Sequence, residues 1–166
     1  MLRIALLIAA LMTTPASAAP APRLTVQSFE QLPRPLPLPY DEKADADAAV
    51  KAATAQAKAT NKLLLIDLGG NWCPDCRILA GTMELPQVKA FIRQHYELVM
   101  VDIGRFDRNM QIPARYGIER PEGVPALLVI DPKSNTLLNP GKTSALANAR
   151  AMTPQALADW LAGWTR

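Results

Sequence analysis

The 166-residue chain has two cysteines, one histidine and nine aromatic residues, and its 18 basic side chains nearly balance its 15 acidic ones. Each scarcity excludes something. A structural zinc site wants four ligands, usually two cysteine pairs or one pair with two histidines, and here a single pair and the distant His95 are on offer. Covalent haem attachment needs C-x-x-C-H, and the residue after the second cysteine is Arg77. Interspersed charges and scattered aromatics leave no basic stripe, so no nucleic-acid footprint is expected. No internal repeat is visible. Only the N-terminus carries an uninterrupted apolar segment of note, Ile4 to Met12, and its roughly nine residues fall short of the ~20 that cross a bilayer.

That segment follows one charge, Arg3, and precedes Ala16-Ser17-Ala18, the pattern of a secretory signal peptide over residues 1–18. Cleavage would leave about 148 residues, enough for one domain, with 17 basic against 15 acidic residues, no lipidated cysteine and no stable membrane insertion. Residues 19–40 hold six prolines, Pro20, Pro22, Pro33, Pro35, Pro37 and Pro39. Such spacing favours extended polyproline II, so this segment reads as an arm along the domain or a linker, with a docking strip for a partner as the sharper alternative.

From residue 41 to the C-terminus the pattern is that of a single α/β domain. Asp41 to Thr60 is alanine-rich and should be helical, starting at Asp41 or Asp45 and turning Ala46, Ala49, Val50, Ala53 and Ala57 inward. Leu63 to Leu68 reads as a buried strand. A helix over Gln87 to His95 shows Val88, Phe91 and Ile92 on one face, and a second strand follows from Tyr96 to Ile103. His95 falls at that helix's end, where a positive imidazole is favoured, and reads as a surface residue rather than a catalyst. A short helix around Asn109 to Tyr116, a hairpin of Ala126–Asp131 with Thr136–Leu138, and a last helix capped by Thr153 with Pro154, Leu157, Trp160, Leu161 and Trp164 complete the chain.

The chemistry concentrates in Trp72-Cys73-Pro74-Asp75-Cys76, delivered by the first strand through Gly69, Gly70 and Asn71. Strand, loop, then helix puts Cys73 at a helix N-terminus, where free backbone N–H groups and the helix dipole stabilise a thiolate. Cys73 is then the attacking thiol, and Cys76, about one turn on, can bond it or resolve a mixed disulfide. Pro74 suits the first helical turn. Asp75 opposes the thiolate, so a moderately lowered thiol pKa and a weak oxidant are expected. An inert staple remains an alternative, although a four-residue loop would constrain the unfolded chain little. So does a Cu(I)-handling module, since two thiolates suit that soft ion.

The order strand, C-x-x-C helix, strand, helix, hairpin, helix resembles the thioredoxin fold, a central mixed sheet flanked by helices, here with an extra Pro-rich arm and Ala-rich helix. The resemblance runs over roughly Leu63 to Trp164 and rests on three matches: the W-C-x-x-C segment, Gly123-Val124-Pro125-Ala126 as the family's cis-proline segment, and Asp67, six residues before Cys73, as its buried aspartate. Glu84-Leu85-Pro86-Gln87-Val88 makes the run from Leu64 to Ile130 most similar to the C-terminal thioredoxin-like domain of DsbD-type periplasmic reductases.

The resemblance implies a periplasmic thiol–disulfide oxidoreductase, most simply a reductase, whose only redox group is the Cys73–Cys76 pair, with no metal or separate cofactor. It implies that Asp67 moves the proton for Cys76 and that Trp72, Pro74, Val124 and Pro125 contact substrate. Partners would be protein or small-molecule disulfides and a membrane electron donor. An oxidase or isomerase of the same fold is the alternative direction. One departure stands out: the lysine that accompanies the aspartate in cytoplasmic thioredoxins has no counterpart in Leu98-Val99-Met100-Val101, so Asp67 should be more protonated here.

Overall fold

The computed structural model describes residues 18–165; the signal-peptide pattern lies almost wholly outside the described residues. In chain order the elements are α1 (Ala46–Ala59), β1 (Leu63–Gly69), α2 (Pro74–Met83), α3 (Pro86–His95), β2 (Tyr96–Asp102), α4 (Gln111–Ala114), β3 (Ala126–Asp131), β4 (Thr136–Leu137) and α5 (Pro154–Gly163). Single 3-10 turns occur at Phe29–Gln31 and Ala149–Ala151.

The strands form one mixed sheet in the order β2-β1-β3-β4. β1 runs parallel to β2 and antiparallel to β3, and β3 and β4 make the expected hairpin. Every residue of β1 is buried, as its unbroken apolar run demands for a central strand covered on both faces. Where β4 ends, the buried Asn139 amide continues the ladder, its oxygen accepting from Val129 N–H and its nitrogen donating to Leu127 O.

Alternation along β1 divides the core. Leu63 and Leu65, with Leu127 and Val129, pack against Leu79, Met83, Val88, Phe91, Ile92, Leu157 and Leu161 from α2, α3 and α5. Leu64, Ile66 and Leu68 pack with Val50, Ala53 and Ala57 of α1 and with Ile112. Each face is therefore sealed by helices, those of α1, α3 and α5 having shown their apolar stripes in the sequence.

One open boundary is decided, and two residues sit otherwise than expected. α1 begins at Ala46, because the Asp45 carboxylate accepts the Ala48 N–H at 3.0 Å while Asp41 is engaged in a turn with Lys43 N–H. Of its expected inward residues, Ala49 is only partly buried. His95 is half-buried against the Phe91 ring, centroids 4.5 Å apart, and desolvation lowers its pKa, so burial outweighs the favourable helix end.

The arm, residues 19–40, packs along the rest of the chain. Phe29 and Leu32 enter the core beside Leu79 and Met83, and Tyr40 is 2% exposed. The guanidinium of Arg77 on α2 donates to the carbonyls of Leu36 (3.1 Å) and Pro37 (3.3 Å), and the Asn71 side chain bonds both the N–H and the C=O of Tyr40. The arm is thus fastened by the same loop and helix that carry the cysteines.

Candidate active site

β1 ends at Gly69, a short loop follows, and α2 starts with Cys73 as its N-cap. Cys73 and Cys76 are both free thiols and buried. The Cys76 N–H donates to Cys73 Sγ at 3.2 Å, so an orphan donor of the first helical turn is aimed at the sulfur. Hydrogen bonding from the Cys76 side chain is the largest influence on Cys73, and together with that N–H it outweighs burial and the Asp75 charge to bring the thiol down to about 7. Cys76 is pushed the other way, upward, by its bond to Cys73 and by burial. The pair is asymmetric: one sulfur ionises near neutrality and the other keeps its proton.

Asp75 is not the bare negative charge its position in the motif suggests. Arg150, in the turn before α5, donates its backbone N–H (2.9 Å) and guanidinium (2.5–3.1 Å) to the carboxylate. Asp75 is desolvated, yet these bonds hold its pKa below the ordinary carboxylate value. Its repulsion of the Cys73 thiolate is accordingly partly offset by a guanidinium.

The Val124–Pro125 peptide bond is cis, and Cys73 as a thiol reaches the Val124 carbonyl at 3.5 Å. The segment before β3 therefore lies directly against the attacking sulfur. Pro74 is exposed at the start of α2, and Trp72 is 41% exposed. The indole is fixed rather than free: Nε1 donates to Gly104 O at 2.8 Å and the Arg105 guanidinium lies 4.6 Å over the ring. Gly70 permits this fold-back, since a Cβ there would meet Nε1 at 2.5 Å.

Asp67 lies in the middle of β1, fully buried, paired in register with Met100 and Leu127. Neither neighbour is polar, as the absent lysine led one to expect. Among the described residues its one hydrogen-bond partner is the Tyr40 hydroxyl, which donates to Oδ1 at 3.0 Å, and Oδ2 has none. Burial raises the Asp67 pKa to about 7, the tyrosine bond working against that rise and the Cys73 charge adding to it.

Of the residues singled out from the sequence, Trp72, Cys73, Pro74 and Cys76 lie at the start of α2, the Val124 carbonyl of the cis Val124–Pro125 segment reaches Cys73, and Asp67 is buried within β1. The contacts of Tyr40, Asn71 and Arg150 with these residues and with the arm had no local signal, since their partners lie 27, 31 and 75 positions away. Among the described residues no group of three or more His, Cys, Asp or Glu side chains is gathered as a metal site. A groove of about 710 Å³ between Pro37, Pro39, α3 and β2 is lined by neither cysteine.

Residues 45–132 match the thioredoxin-like protein family. A solved disulphide isomerase from Xylella fastidiosa Temecula1 is 41% identical, over 77% of this chain and 97% of its own, with a TM-score of 0.71. A solved protein of unknown function from Pseudomonas aeruginosa is 21% identical over 72% of this chain and 85% of its own, with a TM-score of 0.39 too low to carry an argument. Among curated proteins no sequence matches the chain.

Proposed function

The chain belongs to the thioredoxin-like family, a thiol–disulfide oxidoreductase by fold, and on that premise we propose that it works as a disulfide reductase of the periplasm, similar in subclass to the DsbD C-terminal domain. The observation that carries the direction is the setting of Cys73. Its thiol is lowered only to about 7, the carboxylate of Asp75 stands beside it, and the guanidinium coupled to it is already bonded to that carboxylate. A thiolate stabilised this modestly leaves the dithiol form easy to oxidise, whereas strong oxidants of this fold class hold their thiol near ~3.5.

The cycle runs in two exchanges. Cys73 thiolate attacks one sulfur of a substrate disulfide; that S–S bond breaks, a Cys73–substrate bond forms, and the other substrate sulfur leaves as a thiolate. Cys76 then gives its proton to Asp67 and attacks Cys73 Sγ, closing the Cys73–Cys76 bond and releasing the second substrate thiolate. Two electrons have passed from the protein to the substrate. A membrane protein that passes electrons outward would restore the dithiol, because the compartment beyond the signal sequence is oxidising. Trp72 and Pro74 are exposed beside Cys73 while Val124 and Pro125 are buried, so an extended protein disulfide would approach across Trp72 and Pro74, with the Val124 carbonyl beside Cys73 suited to backbone pairing.

Cys76→Ser removes the resolving thiol while leaving the attacker, so it should accumulate covalent adducts with substrates from a periplasmic extract. Unaltered insulin reduction without adducts would refute this division of labour. Isomerase activity is the second reading, favoured by the identity shared with the Xylella protein. It predicts that catalytic amounts of the reduced protein rescue a scrambled multi-disulfide substrate with no electron donor present.

A further inference from the structure

The arm brings a group to the thiols that the two-exchange cycle does not use. Tyr40 is 2% exposed, its backbone is gripped on both sides by the Asn71 amide at 2.7 and 3.1 Å, and its hydroxyl donates to Asp67 Oδ1 at 3.0 Å. Gly69 marks how close this hydroxyl comes to the sulfur. A Cβ at that position would lie 2.3 Å from Tyr40 Oη and 2.9 Å from Cys76 Sγ, so phenol and thiol crowd one spot that only glycine leaves open. A tyrosine hydroxyl with a buried carboxylate on one side and a cysteine sulfur on the other has no need of such placement for packing alone, since a phenylalanine ring would fill the same volume.

We propose that Tyr40, carried by the proline-rich arm, is a positioning residue for the thiol chemistry: its hydroxyl holds the Asp67 carboxylate in place to take the Cys76 proton. The inference rests on the thiol–disulfide reading above. The titratable groups facing Asp67 are Tyr40 from the arm and Cys73 and Cys76 from α2, while its neighbours in the sheet are the apolar Met100 and Leu127. No cation appears in this set. Tyr40 is thus the only group there whose hydrogen bond favours the carboxylate form; without it, burial alone would keep the acid protonated and unable to accept. The proton leaves Cys76 Sγ as the Cys73–Cys76 bond closes, resides on Asp67, and returns to solvent before the next turnover. Atoms and charge balance with no further reactant.

Tyr40→Phe removes the hydroxyl and keeps the ring. The test is the pH dependence of resolution: the rate at which Cys76 releases a thiol from a preformed mixed disulfide on Cys73. Losing a hydrogen bond to a charged group should move the acidic limb of that profile up by about one pH unit, roughly tenfold in rate on that limb. In an Asp67→Asn background the same substitution should change nothing further, because the two residues act as a unit. Carbon NMR of the Asp67 carboxyl gives a readout independent of electron direction: its midpoint, near about 7 in the native chain, should rise in Tyr40→Phe. A profile and midpoint that superimpose on the native ones, or an equal loss in both backgrounds, would overturn the assignment. A native protein that turns over no disulfide would count against the reductase reading and leave the carboxyl titration to decide on Tyr40.

Discussion

Arg150 holds Asp75 through one backbone and two guanidinium nitrogens, across 75 positions of sequence, and so sets the charge beside the attacking thiol. The Arg150 side chain is 56% exposed, which lets water and salt screen much of its effect. Arg150→Ala should leave Asp75 uncompensated and raise the Cys73 pKa, lowering thiolate reactivity near neutral pH by no more than about fivefold. Asp75→Asn should do the reverse. Alkylation rates measured against pH check both signs, and high salt should shrink both effects.

Asp67 makes stability depend on pH in an uncommon direction. Its folded-state pKa is raised from 3.8 to about 7, so between these values the folded protein holds a proton that the unfolded chain has lost. Stability from this group is therefore highest at or below about pH 4 and falls as pH rises toward about 7. The full window corresponds to at most roughly 4 kcal/mol. Asp67→Asn should abolish that slope and be more stable than the native reduced protein above neutrality, with little difference under acid. Denaturant titrations across this range test it; an asparagine variant that keeps the slope would assign it to another group.

Much of this was legible because it is local. The apolar run Leu63–Leu68 could only be a central strand, Val88, Phe91 and Ile92 could only be one face of a helix, and Trp72-Cys73-Pro74-Asp75-Cys76 carries its chemistry within one turn. What escaped was long-range. A tyrosine at the end of a proline-rich segment looks like surface, and nothing within ten residues of Tyr40 signals that its hydroxyl reaches a buried aspartate. Arg150 sits in a loop with no periodicity, so its pairing with Asp75 had no local signature. The start of α1 was undecided between two aspartates, and only the carboxylate that reached an N–H three residues on could cap it.

The arm should behave as core. Leu32 is 3% exposed and packs in the cluster with Leu79 and Met83. Leu32→Ala is expected to cost about 2–4 kcal/mol in unfolding free energy. Its reduction potential should stay that of the native protein, since the side chain touches no group at the sulfurs. A loss below about 0.5 kcal/mol, the scale of surface substitutions, would return the arm to the status of a linker.

The central claim is direction, and the reduction potential of the Cys73–Cys76 pair, equilibrated against dithiothreitol or glutathione buffers, tests it most directly. A thiol lowered only to about 7 predicts a value near thioredoxin's, about −270 mV, that of a protein built to donate electrons. A value near DsbA's, about −120 mV, would contradict the account and make the pair an oxidant.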